Sequence, residues 1–461
     1  MSKVFIYSIL SLIGLKVCAV FFTNFSLYGD EAQYWLWSQN LDLGYFSKPP
    51  LLAWFLSGHI KLFGDSFFSL KMFPLLIYLL IFFAVYKLCL QLNLSKNRSI
   101  ICSTSFLIIP AASVSSFLIS TDLLLLLFWV LAMKKLLEIR LSGSLINFFL
   151  LGIFLGLAFL AKYAAVYFLL SFLILIYIDK KILISLKNHT VGWLVFVLVM
   201  VLVLLPNIYW NINNGWVTFS HTSDNINLQN LNLNFYEPLK FLLAQAFMLG
   251  PVLFLSFFYI FKSFRLDFEN KFLLIFSLPI VIVVLIESFL VRANANWAAP
   301  ALISLFILFF RLVAENKKSL IIINFATNYI ITVFLFVSIL ISSNLGMFDR
   351  IRGVDDFVRE VLKTVDDKDI VVTDRIIFSS ISYETKEWSN KIYMPYKGGG
   401  KITNHFQISS PLSQTRLNDF YLIGNKGDIS YLIKQNQIDL LKEFDVPFNS
   451  SKLKFYEVIF K

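Results

Sequence analysis

Apolar runs of about 20 residues recur along this 461-residue chain, each long enough to cross roughly 30 Å of hydrocarbon. Inside a bilayer a backbone must satisfy its own hydrogen bonds, which leaves helices or closed barrels. The period-two alternation of an outer-membrane barrel is missing. Hydrophobic residues make up 58% of the chain and charged residues 15%, against about 45–50% and about 25% in soluble domains. The fold class is therefore an α-helical polytopic membrane protein.

The runs predict about eleven spans: 4–22, 68–90, 99–118, 123–139, two short spans within 145–178, then 190–209, 238–261, 272–290, 298–311 and 319–342. The first has no small-residue cleavage site and reads as a retained helix. This gives a transmembrane domain over 1–344, with an amphipathic loop at about 23–67. Residues 345–461 hold many charges and no membrane-length run. Strand-like runs at 370–373, 420–423 and 454–460 alternate with helix-like stretches such as 428–435, which predicts a small soluble α/β domain. The glycines at 398–400 lack P-loop spacing and read as a flexible loop.

Forty Lys and Arg against 29 Asp and Glu give a net charge of +11. Nucleic acid is not the reason. The cations fall in short inter-span loops, as the positive-inside rule requires. The same rule places the Asp30 loop, the Asp122 turn, the His221 loop, the Arg292 turn and the C-terminal domain on the extracytoplasmic side of a cell (inner) membrane. Cys18, Cys89 and Cys102 fit neither a zinc site nor a disulfide framework.

Chemistry-bearing residues gather in those outer loops. Asp30 and Glu31 follow the first span within a tryptophan-rich stretch, and Lys48 precedes Pro49-Pro50. Asp30 is a candidate general base. Glu31 is either a favourable acid at a helix start or a substrate contact. Asp122, after Ser120-Thr121, is either a helix cap or a second catalytic acid. Lys48, Lys162 and Arg292 stand where the charge rule does not call for cations, and could offset the charge of a departing phosphate. Tyr34, Tyr163, Asn294, Asn296 and Trp297 complete the substrate-binding set. His221 is either polar surface or, with Asp30, Glu31 or Asp224, a ligand of a divalent metal. Trp35, Trp37 and Trp54 read as membrane-interface anchors.

The run GDEAQYW…LGYFSKPPL resembles the first outer loop of bacterial GT-C glycosyltransferases, in the dolichyl-phosphate-mannose-protein mannosyltransferase-like branch that includes the aminoarabinose transferases of lipid A. TDLLLLLFW at 121–129, GLAFLAKY at 156–163, NNGWVTF at 213–219 and RANANWAAPA at 292–301 are similar in the same order. The resemblance spans about residues 5–310. It implies inverting transfer of a sugar from a polyprenyl-phosphate donor to a lipid, polysaccharide or protein acceptor. It implies Asp30 as base, Asp122 as second acid, and Lys48 and Lys162 at the carrier phosphate. Where the aminoarabinose branch has a metal-associated Glu before the lysine, this chain has Ser47. That leaves a divalent metal cofactor open and weakens aminoarabinose transfer in particular. The competing readings are a transporter or flippase of lipid-linked sugar, a non-catalytic scaffold, and an oligosaccharide ligase with a pyrophosphate carrier. A flippase predicts charges deep in the spans and a repeat between halves, and neither is evident.

The orientation is testable in a cysteine-free background. Asp30→Cys should react with an impermeant maleimide on intact spheroplasts, and Lys96→Cys only after permeabilisation. The reverse pattern would invert the topology.

Overall fold

The computed structural model describes residues 2–226, 233–260, 267–291, 294–366, 368–386, 392–412, 418–432, 437–449 and 451–459. It is mostly helical, with a small sheet near the C-terminus. In chain order the helices begin with α1 (Ser2–Phe22), α2 (Gly29–Gln39), α3 (Leu51–Phe63), α4 (Phe67–Gln91), α5 (Lys96–Leu107), α6 (Pro110–Ser115), α7 (Thr121–Leu141), α8 (Leu145–Ala161) and α9 (Val166–Ile178). They continue with α10 (Lys180–Asn188), α11 (Thr190–Asn213), α12 (Val217–Ile226), α13 (Tyr236–Leu249), α14 (Pro251–Ile260), α15 (Phe268–Ile275), α16 (Leu278–Leu290), α17 (Ala299–Asn316) and α18 (Lys318–Leu340).

Among the described residues, six helical stretches are long and apolar enough to cross a membrane: 3–22, 67–91, 190–213, 268–290, 295–313 and 318–340. Of the remaining predicted spans, 123–139 is the continuous 21-residue α7, which carries several charges, and the others hold shorter or interrupted helices. The 99–118 run is two helices because Pro110 lacks an N–H and starts α6 at its first position. The 238–261 run divides at Gly250, whose φ of +104° a side-chain-bearing residue would resist, followed by Pro251. Pro279 sits in the first turn of α16 and separates it from α15. The predicted division of 145–178 occurs at Lys162. The loop expected at 210–236 carries α12, and α10 is a further amphipathic helix that hydropathy did not show.

The chain divides into two compact units: 1–18, 48–52 and 70–337 in the first, and 19–47, 53–69 and 338–461 in the second. In the first, α7 is buried along nearly its whole length, as a helix apolar on every side should be. α8 lies against α11 through Gly152 and Gly156. A Cβ on Gly152 would come within 2.7 Å of the Phe196 carbonyl, and one on Gly156 within 2.8 Å of Val203 Cβ. This small-xxx-small spacing lets two membrane helices approach closely.

The second unit joins the first loop to the C-terminal domain, which contains α19 (Val354–Thr364), α20 (Arg375–Thr385) and α21 (Phe406–Ser409). Its strands are β1 (Asp369–Val372), β2 (Ile392–Tyr393), β3 (Phe420–Ile423), β4 (Gln437–Phe444) and β5 (Leu453–Ile459), in the order β2-β1-β3-β5-β4. β1 runs parallel to β2 and β3, whereas β5 is antiparallel to β3 and β4. Ile370, Val372, Tyr421 and Ile423 face one apolar cluster, and Val371, Phe420 and Leu422 the other, the alternation of a pleated strand. Of the helix expected over 428–435, residues 433–435 lie outside the described residues, and the start is instead a short 3-10 turn at Lys426–Ile429, fixed by Asn425 accepting from the Gly427 amide.

The first loop is built into this domain. Leu36 packs on its core. Trp37 stacks on Tyr45 at 4.4 Å, and His405 meets both rings edge-on. Trp35 lies against Tyr383, and its indole N–H donates to Asp65 at 2.9 Å. Trp35 and Trp37 are each 3% exposed, so they are core residues of this unit and not the membrane anchors expected from sequence. The chain after α1 and the chain after α18 therefore belong to one compact unit.

Two titratable groups oppose each other in this unit. Burial pushes His405 down to about 4, and pushes Glu384 up to about 7 with Asp355 adding repulsion. The unfolded chain protonates His405 first, so its contribution is complete above about pH 6.5 and is lost as pH falls toward 4. Glu384 works in reverse: the folded form binds its proton first, and stability falls as pH rises from about 4.5 to 7. Each is worth about 3 kcal/mol at most. Thermal melts in detergent should show wild type nearly flat between pH 4.5 and 6.5. Glu384→Gln should unmask the acid loss, and His405→Phe the loss toward neutral pH.

Candidate active site

The first unit contains a charged cluster at one end of its helices. Asp122 is in the first turn of α7, where the helix dipole favours an acid. Its carboxylate does not serve as the cap. Lys162 donates to Oδ1 at 2.7 Å and the Asn296 amide donates to Oδ2 at 3.0 Å. The Lys162 and Asp122 side chains are 13% and 11% exposed. Lys162 is held here because the chain leaves α8 in an extended conformation, with φ −161° and ψ 133°. Asn296 is carried by the 3-10 turn Ala295–Ala298 that opens α17. That turn is tied to α13, since Gln245 donates to the Ala295 carbonyl at 2.9 Å.

Next to Lys162, the Tyr163 hydroxyl donates to Asn207 at 2.7 Å and accepts from Asn211 at 3.3 Å. Its ring stacks on Phe219 at 4.8 Å. Asn207 and Asn211 escaped the sequence reading. Their signal was two amides four residues apart on one face of an apolar helix.

Asp122 and Asn296 form part of the wall of a cavity of about 450 Å³. Ser115, Ser120 and Tyr78 add polar atoms, while Phe106, Leu126, Phe247, Met248 and Leu302 make the rest apolar. Its size lies within the roughly 300–1,000 Å³ of ligand sites, and an apolar lining with a few convergent polar groups is their usual composition.

The other candidates fall as follows. Asp30 and Glu31 lie in the first turn of α2, in the second unit. Arg375 donates to Asp30 Oδ1 at 2.8 Å and to Gln33 Oε1 at 2.5 Å. Glu31 is buried and accepts the Tyr28 amide at 3.0 Å, so it caps its own helix. Tyr34 is nearly buried, edge-on to Trp37 at 5.5 Å. Lys48 is half-buried before Pro49-Pro50 and falls in the first unit. Asn294 is exposed and its carbonyl accepts the Trp297 amide at 3.0 Å. Arg292 lies outside the described residues. His221 is half-buried on α12. Among the described residues no three His, Cys, Asp or Glu side chains are disposed to hold a metal ion.

The Asp122 cluster predicts a stability signature. Lys162→Met leaves a buried carboxylate with one neutral partner, which should cost about 3–5 kcal/mol. Adding Asp122→Asn should restore most of the melting temperature in detergent. An unchanged melt for the single variant would mean that the pair is solvated.

Comparison with known proteins agrees with this architecture. Residues 47–210 match the dolichyl-phosphate-mannose-protein mannosyltransferase family. The chain is 28% identical over 401 residues to lipid A galacturonosyltransferase RgtD of Rhizobium johnstonii, covering 84% of each protein. Its fold is that of ArnT from Cupriavidus metallidurans. The TM-score is 0.70 to the apo crystal structure and 0.71 to the one bound to undecaprenyl phosphate, at 11% identity over 98% of this chain and 97% of that one. The resemblance carried by the first-loop motif therefore holds: the chain is similar to the dolichyl-phosphate-mannose-protein mannosyltransferase family over 47–210 and has an ArnT-like GT-C fold.

Proposed function

We propose that this protein is an inverting glycosyltransferase that moves a sugar from a polyprenyl phosphate to a lipid A-type glycolipid at the extracytoplasmic face of the membrane. The observation that carries the reading is the Asp122–Lys162–Asn296 cluster, whose Asp122 and Asn296 line a mostly apolar cavity while Lys162 pairs with Asp122. A polyprenyl phosphate needs such a combination, with apolar wall for the chain and positive charge for the phosphate. The relative named as a lipid A galacturonosyltransferase and the fold seen with undecaprenyl phosphate support the same donor and acceptor class.

In this reaction the acceptor hydroxyl oxygen attacks the anomeric carbon from the face opposite the phosphate. The bond from that carbon to the phosphate oxygen breaks, and the polyprenyl phosphate leaves with the electron pair. Asp30 takes the hydroxyl proton, the role that the first-loop resemblance implies for it. Lys162 and Lys48 offset the charge that develops on the leaving phosphate. Asp122, itself held by the Asn296 amide, holds Lys162 in place, and among the described residues two ammonium hydrogens stay available for phosphate oxygens.

Asp30→Asn should lower turnover by about 10²- to 10⁴-fold while carrier binding persists. The check is transfer from a synthetic polyprenyl-phosphate sugar to lipid A in detergent, with carrier binding measured separately. Wild-type turnover by Asp30→Asn would end the assignment of the base. Failure of the wild-type protein to transfer any sugar would end the proposal.

A further inference from the structure

We propose that Arg375, contributed by the C-terminal domain, is the positioning residue for Asp30; this rests on the reading of Asp30 as the base. One guanidinium nitrogen of Arg375 donates to both Asp30 Oδ1 at 2.8 Å and Gln33 Oε1 at 2.5 Å. Asp30 and Gln33 are three residues apart on α2 and share a face, so a single group grips the first turn twice. The planar guanidinium suits this grip, because its donors are fixed relative to one another.

The arginine is itself held. It opens α20 directly after Asp374, whose carboxylate accepts the amides of Ile376 at 2.8 Å and Ile377 at 3.0 Å. Just upstream, the Thr373 amide is tied to the Ile423 carbonyl at 3.1 Å, extending the β1–β3 pairing. The next residue, Ile376, presses on the first turn of α2. A Cβ on Gly29 would fall 2.0 Å from its Cγ2, so any larger residue there would push the helices apart. The far end of α20 is fixed too. Asp65 accepts from Trp35 of α2 at 2.9 Å and pairs at 3.2 Å with Lys386, the residue following α20.

Stability does not account for the Asp30–Arg375 pair. Its side chains are 37% and 43% exposed, and ion pairs this open add little to folding. Trp35, Leu36 and Gly29 already dock the helix. What the pair does is choose one orientation of the carboxylate. Oδ1 is taken by Arg375, and among the described residues Oδ2 has no hydrogen-bond partner. The base is held by one oxygen and presents the other to the acceptor hydroxyl.

The test is steady-state transfer by the full-length protein with Arg375→Met, Arg375→Gln and Arg375→Lys, alone and with Asp30→Asn. Arg375→Met and Arg375→Gln should lose about 10- to 100-fold in kcat, the scale of a misplaced catalytic group, with KM for carrier and acceptor nearly unchanged. Arg375→Lys should recover much of the loss, and melting temperatures should stay near wild type. On the Asp30→Asn background, Arg375→Met should cost nothing further. If Asp30→Asn is inactive while the Arg375 variants keep the wild-type kcat, or raise only KM, Arg375 is no positioning residue and the inference fails by itself. If Asp30→Asn is active, the base assignment fails first and takes the inference with it.

Discussion

A carboxylate at the edge of an apolar helix bundle keeps its charge only if something nearby compensates for lost water. At Asp122 the compensation is a lysine on one oxygen and an amide on the other. The three residues come from chain positions about 40 and 174 residues apart. They fix the start of α7, the end of α8 and the turn before α17 relative to one another. The rest of the unit makes this affordable. α7 is a buried pillar, and Gly152 and Gly156 bring α11 close to α8. The Asn207 and Asn211 side chains thereby meet the hydroxyl of Tyr163, beside Lys162. Close helix packing is the reason that polar groups distant in sequence converge.

The second unit follows a different logic. Its sheet is an ordinary soluble core with two apolar faces. What makes it unusual is that residues of the first loop complete that core. Leu36 joins it, and Trp37 with Tyr45 encloses the buried imidazole of His405. A helix of 11 residues is too short to hold its shape alone in water. Docking on α20 supplies what length cannot. The C-terminal domain is therefore the scaffold of the first loop, which is a sufficient physical reason for the two to be carried by one chain.

Much of this was legible in sequence because the bilayer imposes length and charge rules. Apolar length located the helical segments, and short β-branched or aromatic runs located β1, β3 and β5. The pairing of Lys162 with Asp122 was foreshadowed by cations and acids collected in loops on one side. Other features were not legible. Arg375 looks like any exposed arginine until a sheet places its helix against α2. Trp35 and Trp37 have the composition of membrane anchors, and only the tertiary core shows otherwise. The start of the helix expected at 428 had a suitable composition, but the Asx turn at Asn425 won locally. In each case the deciding partner lies far away in sequence or competes through a side chain that propensity does not weigh.

The interruptions in the spans show where such partners are to be sought. Backbone that leaves the helix within membrane depth is tolerated only where it is buried or lines a cavity. Several of the breaks here do the latter. Ile109 and Pro110 at the α5–α6 break, Leu118 and Ser120 between α6 and α7, Met248 just before Gly250, and Ala295 with Asn296 before α17 all border the same 450 Å³ cavity. Pro110, together with Met248, Ala295 and Asn296 at or beside other breaks, therefore contributes more of the cavity wall than Asp122, its one charged lining residue, does. In a chain whose helices are nearly uniform in apolarity, the location of the breakers is the more informative signal. A proline or glycine inside a span costs a backbone hydrogen bond or helical rigidity, and at Pro110 that cost falls where a cavity opens in the bundle.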